Sequence, residues 1–197
     1  MKGERPTQKA ADTVEKTVEN QEDELYQRCV TEIFDAEKIT QEKLDEILKD
    51  FVQWERAIWG EEGFDEELFL EDLPNPENTV VFLRDTKTGK IVGFTYAEPV
   101  EHIDRYVEPK ERRDPKLVAY ISDTLVDPQY QGHGLVGKLM ETLEEELRRR
   151  GYQYIERDTA VEGGYADNVR KNYASRIIEE QPHPSEYGDQ VFFCITL

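Results

Sequence analysis

The sequence predicts a mixed α/β sheet with helices on both faces, and three stretches carry that prediction. TVVFLRD (79–85) and KIVGFTYAE (90–98) flank Thr86-Lys87-Thr88-Gly89, which reads as an antiparallel β-hairpin with Gly89 at the positive-φ position. Leu117 to Val126 reads as a strand that runs through a glycine-rich loop straight into an amphipathic helix. Beyond that helix the period switches again, from strand to helix to two last strands. Alternating strands and helices that include a hairpin require a mixed sheet covered on both sides.

The remaining elements follow in chain order. Residues 1–24 hold only Met1, Ala10, Ala11, Val14 and Val18 as apolar residues, too few to offset the entropy of ordering them, so this segment reads as a disordered, acidic arm. Residues 25–31 (LYQRCVT) read as a first strand. Thr40 is a candidate N-cap, with Ile39 placed to staple onto Leu44. Leu44, Ile47, Leu48, Phe51, Trp54 and Ile58 then form one helical face. A second helical piece, Asp65 to Leu73, stops before Pro74 and Pro76. The charged run 101–115 is a loop. From Gly134 to Arg150 the stripe Leu135, Leu139, Leu143, Leu147 makes the clearest helix, with three arginines at its negative end and Gly151 as its stop. Tyr152 to Thr159 is a strand, Tyr165 to Ile177 a helix, and strands are expected near Ile177-Ile178 and over Val191 to Leu197. A single domain over 25–197 is the expectation.

Charge and composition narrow the function. The net charge is −19. The arm has four basic and seven acidic residues, a net of −3, so −16 falls on the folded part. Such a surface repels phosphate backbones, which argues against nucleic acid and favours cationic partners, unless the charge serves solubility alone. No stretch approaches a membrane span and no secretory leader is visible, so the expectation is a cytoplasmic protein. Cys29 and Cys194 are expected as unpaired, buried thiols, and His102, His133 and His183 lack ligand spacing, so no metal is expected.

The chemistry is concentrated in Tyr120 to Met140, YISDTLVDPQYQGHGLVGKLM. A strand, a loop with Gly132, Gly134 and Gly137, and a helix in immediate succession aim loop amides and a helix N-terminus at one point, a site for a phosphate anion. Glycine would let the backbone approach it. A P-loop is excluded, because Gly137-Lys138 is followed by Leu139 rather than Ser or Thr. The three glycines do fit a dinucleotide fingerprint, with Asp158 as a ribose-binding acid, but the hairpin before them and their late position do not suit that fold.

The run Val126 to Gly134, V-D-P-Q-Y-Q-G-H-G, resembles the signature of the GNAT acetyltransferase superfamily, in which Y-I-x-D-x-x-V-x-P-x-Y precedes Q/R-x-x-G-x-G/A and a helix. Tyr120, Ile121, Asp123, Val126, Pro128, Tyr130, Gln131 and Gly134 match it. Val136 departs from it, standing where Gly or Ala is usual, with Gly137 one place later. The order of elements resembles the GNAT order over about residues 25–197. The resemblance implies a mostly antiparallel sheet, splayed at a cofactor cleft.

It also implies roles. Backbone N–H groups of Gln131, Gly132, His133, Gly134, Leu135, Val136, Gly137 and Lys138 would hold the pyrophosphate of acetyl-CoA. Leu125 and Val126 would pair with the pantetheine, and Val126 N–H would meet the carbonyl oxygen. Asn168 and Asn172 would lie near the cofactor. Amine acetylation needs a base and an acid. Asp123 is the candidate base or else a structural acceptor. Glu98 is a second acidic candidate on the substrate side. Tyr173 is the candidate acid or else a packing tyrosine, because the spacing N-x-x-A-x-x-x-Y is not kept, and Tyr187 is its reserve. Trp54 fits the core, while Trp59 is a candidate wall of the acceptor site.

The implied function is acetyl transfer from acetyl-CoA to a primary amine, a small cationic one or a protein amine, by direct attack in a ternary complex. The alternative is an inactive acyl-CoA-binding sensor or scaffold, favoured by Val136 and the lost tyrosine spacing. Either is compatible with a homodimer. Deleting residues 1–24 is expected to leave the melting temperature unchanged; loss of the cooperative transition would mean that the arm is packed.

Overall fold

A computed structural model describes residues 24–35, 38, 40–60, 66–105, 107–185 and 188–197. The expectations for residues 1–23, Ile39 and Tyr187 lie outside these, as does the side chain of Trp59. Seven strands form one sheet in the order β1-β2-β3-β4-β5-β7-β6. They are β1 (Cys29–Ile33), β2 (Thr79–Asp85), β3 (Ile91–Pro99), β4 (Val118–Val126), β5 (Tyr154–Ala160), β6 (Ile177–Ser185) and β7 (Gly188–Thr196). Every neighbouring pair is antiparallel except β4 and β5. The mixed, mostly antiparallel sheet expected from the sequence is what the chain forms.

Helices α2 (Gln41–Trp59) and α3 (Glu66–Asp72) cover one face, and α4 (Leu135–Arg150) and α5 (Tyr165–Tyr173) the other. The predicted α2 stripe is its buried face, from Leu44 to Trp54. Thr40 begins it, its carbonyl accepting Leu44 N–H at 3.0 Å. Under α2, Phe51 stacks on Phe94 with ring centroids 3.9 Å apart and meets Phe69 and Phe82 edge-on. Trp54 is 6% exposed and belongs to this core. On the other face Leu135, Leu139, Leu143 and Leu147 are buried as their spacing predicts.

Three boundaries differ from the sequence reading. Residues 24–28 form a helical segment, α1, and the first strand starts only at Cys29. The reason is tertiary: Lys138 on α4 donates to the carbonyls of Tyr26 and Cys29 and sits 4.0 Å from the Tyr26 ring centroid. Helix α5 ends at Tyr173 rather than Ile177. Strand β6 continues through Pro182 and Pro184, which it can do because it is the edge strand and pairs with β7 alone.

Cys29 and Cys194 are free and buried. They lie in β1 and β7, with four strands between them, about 24 Å at the usual strand spacing. Burial pushes the Cys194 thiol up to about 12.

Because Phe51 touches four other rings at the centre of one core, those of Trp54, Phe69, Phe82 and Phe94, Phe51→Ala is expected to cost about 3–5 kcal/mol. Urea unfolding checks this through a lower midpoint at unchanged slope.

Candidate functional site: the cleft between β4 and β5

Strands β4 and β5 pair over three residues only, Val118–Tyr154, Ala119–Ile155 and Tyr120–Glu156. Past Tyr120 they part. Strand β4 follows β3, and β5 follows β7. The register of β4 on β3 slips at the point of parting: Ala97 faces Ile121 but Tyr96 faces Asp123, so Ser122 is the extra residue of a bulge. Bulges bend the strand that carries them. The wedge that results is a cavity of about 920 Å³.

The bulge also resets which residues face which way. Asp123 and Leu125 turn to the α2 side, and Thr124 and Val126 to the α4 side. The backbone alternates in the same manner. Asp127 N–H donates to Val92 on β3, and Leu125 opposes Phe94 there. The N–H and C=O of Val126 therefore point into the cleft, whereas those of Leu125 are spent on β3. Gln131 Nε2 donates to Val126 O at 2.9 Å. Of the two residues expected to pair with an incoming chain, only Val126 turns its backbone to the cleft, and its N–H is the group left open there, since Gln131 holds its carbonyl.

The glycine loop closes one end of the cleft. Asp127 caps the turn Pro128–Tyr130 by accepting from Gln129 N–H. Tyr130 Oη donates to Asp85 at 2.9 Å, and Arg28 reaches the same carboxylate at 3.0 Å. Burial alone would raise the Asp85 pKa; the donors Lys87 N–H, Tyr130 and Arg28 outweigh it and hold it low. Gly132 and Gly134 have φ of 85° and 72°, so backbone conformation demands glycine there, beyond any need for room. Gly134 is the N-cap of α4. The N–H groups of Leu135 and Val136, in its first turn, have no partner inside the helix. Gly137 N–H is already bonded to Gly134 O at 3.0 Å. Gln131, Gly132, Gly134, Leu135 and Val136 line the cleft.

Other expected residues fall outside it. Lys138 is engaged by α1 and β1, as described. His133 is half-buried and not part of the cleft wall, and Asn168 and Asn172 are exposed on α5. Tyr173 is buried in the α4–α5 core, where its hydroxyl pairs with Glu144 and Arg176 lies over its ring. Tyr165, from the start of α5, reaches the cleft instead.

On the α2 side the wall is acidic. Glu98 is 9% exposed and accepts from Ser122 Oγ. Burial raises its pKa. Asp123 accepts Thr124 N–H at 2.6 Å. Burial, and then the neighbouring carboxyl of Glu55 on α2, hold Asp123 well above the carboxylate range. The nearby Glu55 carboxyl thus disfavours the ionised form of Asp123. Asp72 and Asp158 add to this wall; Arg157, half-buried, is a cation that lines the same cleft. The sequence reading missed Glu55, which sits one place after Trp54 in the apolar stripe, and Arg157, whose inward turn follows from the splay.

Folding raises the Asp123 pKa, so this carboxyl destabilises the fold wherever the unfolded chain would ionise, above about pH 4, and costs nothing well below it. Asparagine would still accept Thr124 N–H and would give Glu55 a donor in place of a second carboxyl. Asp123→Asn is expected to be more stable than the parent near pH 7 and equal to it near pH 3. Urea unfolding at both pH values tests this; a less stable variant near pH 7 would mean an ionised Asp123 held by Arg157.

Comparison with known proteins agrees with this geometry. The family model described as the Acetyltransferase (GNAT) family matches residues 44–167, more than half of the chain. No curated protein sequence matches it. Among solved structures, the fold is similar to a chain of the NatC complex bound to Gag peptide and CoA, at TM-score 0.61 and 18% identity over 86% of this chain and 99% of that one. It is similar to yncA from Salmonella typhimurium with its cofactor acetyl-CoA, at TM-score 0.60 and 16% identity over 86% and 94%. It is also similar to the ribosomal-protein-S18-alanine N-acetyltransferase from Escherichia coli, at TM-score 0.57 and 18% identity over 85% and 96%. At such identities the likeness is one of fold, and membership rests on the family match: the chain belongs to the GNAT acetyltransferase family.

Proposed function

We propose that this protein transfers an acetyl group from acetyl-CoA to a primary amine by direct attack within a ternary complex. The observation that carries the reading is the parting of β4 from β5 beside the first turn of α4. An extended chain can enter such a gap as an added strand, with its anionic end at the helix N-terminus. The free N–H groups of the first turn, at Leu135 and Val136, and the loop about Gly132 and Gly134 suit the diphosphate of CoA. Val126 offers an N–H to the pantetheine or to the thioester carbonyl, whose oxygen gains charge as the amine attacks.

The acceptor comes from the α2 side. There the carboxyls of Glu98, Asp72, Asp123 and Glu55 favour a cation, which supports an ammonium-bearing acceptor over a neutral one. Asp123, whose burial beside Glu55 favours the protonated form, suits proton abstraction poorly. The alternative, a protein that binds acyl-CoA without turnover, draws support from Val136 and from the burial of Tyr173 away from the cleft. Thiol release from acetyl-CoA with a panel of amines separates the two readings.

Binding of CoA has its own test. CoA at millimolar concentration is expected to raise the melting temperature by mass action. Val136 is 47% exposed in the first turn of α4. Val136→Glu should leave the free protein's melting temperature unchanged, since a carboxylate there suits the helix dipole, yet abolish the rise by opposing the diphosphate. Val136→Ala, which restores the small residue usual in the family, should enlarge it. An unshifted parent would overturn the cofactor assignment. A Val136→Glu protein that still responds would place the diphosphate elsewhere.

A further inference from the structure

At the apex of the cleft, three side chains form one hydrogen-bonded row. Tyr120 Oη donates to Asp158 Oδ2 at 2.6 Å, and His183 Nε2 lies 2.7 Å from Asp158 Oδ1. They come from β4, β5 and β6, so His183 reaches across the intervening β7. Tyr120 is the last β4 residue paired with β5. Tyr120 and Asp158 line the cavity, and His183 backs them from behind at 12% side-chain exposure. With its proton directed at Asp158, the phenol oxygen of Tyr120 keeps lone pairs with which to accept from a donor in the cleft. The charged groups facing the row are Arg157 of β5 and, beyond it, Asp123 of β4.

We propose that this row is the general base of the acetyl transfer, with Tyr120 and Asp158 as its catalytic residues and His183 as a positioning residue. The inference rests on the transferase reading. An ammonium acceptor loses two protons on becoming an amide. One passes from the acceptor nitrogen to Tyr120 Oη as the hydroxyl proton of Tyr120 moves to Asp158 Oδ2. The other leaves with the CoA sulfur as its thiol. The nitrogen lone pair forms the N–C bond, and the C–S pair departs on sulfur. Burial and the charge of Asp158 raise the Tyr120 pKa, so the residue rests as a phenol and acts only as a relay. His183, donating to Oδ1, fixes the carboxylate so that Oδ2 faces Tyr120. Asp123 suits this role less, because burial and the neighbouring Glu55 carboxyl favour its protonated form.

Thiol release from acetyl-CoA is measured with three probes: spermidine, an aminoglycoside, and a peptide with a free N-terminus. Tyr120→Phe and Asp158→Asn are each expected to lower kcat by about 100-fold or more, within the range for a lost general base. The KM for acetyl-CoA and the CoA-induced rise in melting temperature should stay at parental values, which also shows that the variants fold. His183→Ala should lower kcat less, and His183→Gln, whose side-chain amide can still donate to Asp158, should recover most of that loss. A Tyr120→Phe protein within about twofold of the parental kcat would overturn the proposal and leave the row a structural tie. So would a His183→Gln protein no more active than His183→Ala. If the parent binds CoA but releases no thiol with any probe, the transferase reading itself fails and the proposal falls with it.

Discussion

Three residue pairs of parallel ladder, Val118–Tyr120 against Tyr154–Glu156, join the two halves of the sheet, and the remaining length of both strands is unpaired on the facing side. The exposed N–H and C=O groups of that gap would be costly in a closed core. Here they line a large cleft, where water or an extended ligand satisfies them. The bulge at Ser122 is the local device: one extra residue bends β4 towards β3, reverses the facing of every later side chain, and so brings Asp123 under α2 and Val126 towards α4. The register that puts a carboxyl on one side of the cleft and an open amide on the other follows from it.

The glycine loop depends on ties from distant parts of the chain. Tyr130 is anchored to Asp85 at the end of β2, and Asp85 is held by Arg28 from the segment before β1. Lys138 fixes that same segment from α4. The loop is therefore held on both flanks by polar contacts to α1 and to the β1–β2 edge, and the helix N-terminus is aimed before any ligand arrives. Preorganisation of this kind reduces what binding must spend on ordering.

Charge inside the cleft is handled by protonation and pairing. Burial and Glu55 favour a protonated Asp123, Ser122 answers Glu98, and Tyr120 with His183 answers Asp158. Arg157, half-buried, is a cation among them. An arrangement with several raised carboxyl pKa values works against stability near neutral pH, and such perturbed groups concentrate where a protein does its chemistry. The acidic surface extends the same sign outward, which favours the approach of cations over anions.

Periodicity and turn chemistry made most of the framework legible. The α2 and α4 stripes, the hairpin about Gly89 and the strand–loop–helix at Val126–Leu135 are local patterns, and local sterics enforce them. The Tyr120–Gly134 signature carried the family, because its matched residues are close in sequence. What depended on distant partners was not legible. LYQR reads as strand until Lys138 arrives to hold it as helix, and Pro182–Pro184 reads as a loop until β6 proves to be an edge. Tyr173 fits an acid by position, yet Glu144 draws its hydroxyl into the core. Glu55 and Asp123 lie 68 residues apart, and Tyr120, Asp158 and His183 sit on three strands. Their meeting depends on a one-residue bulge and on the order in which strands pair, and neither has a signal in the residues themselves. The sequence by itself determined the elements and the loop that faces an anion; only the tertiary structure decided which side chains share the cleft, because that choice is made by register and crossing, not by spacing along the chain.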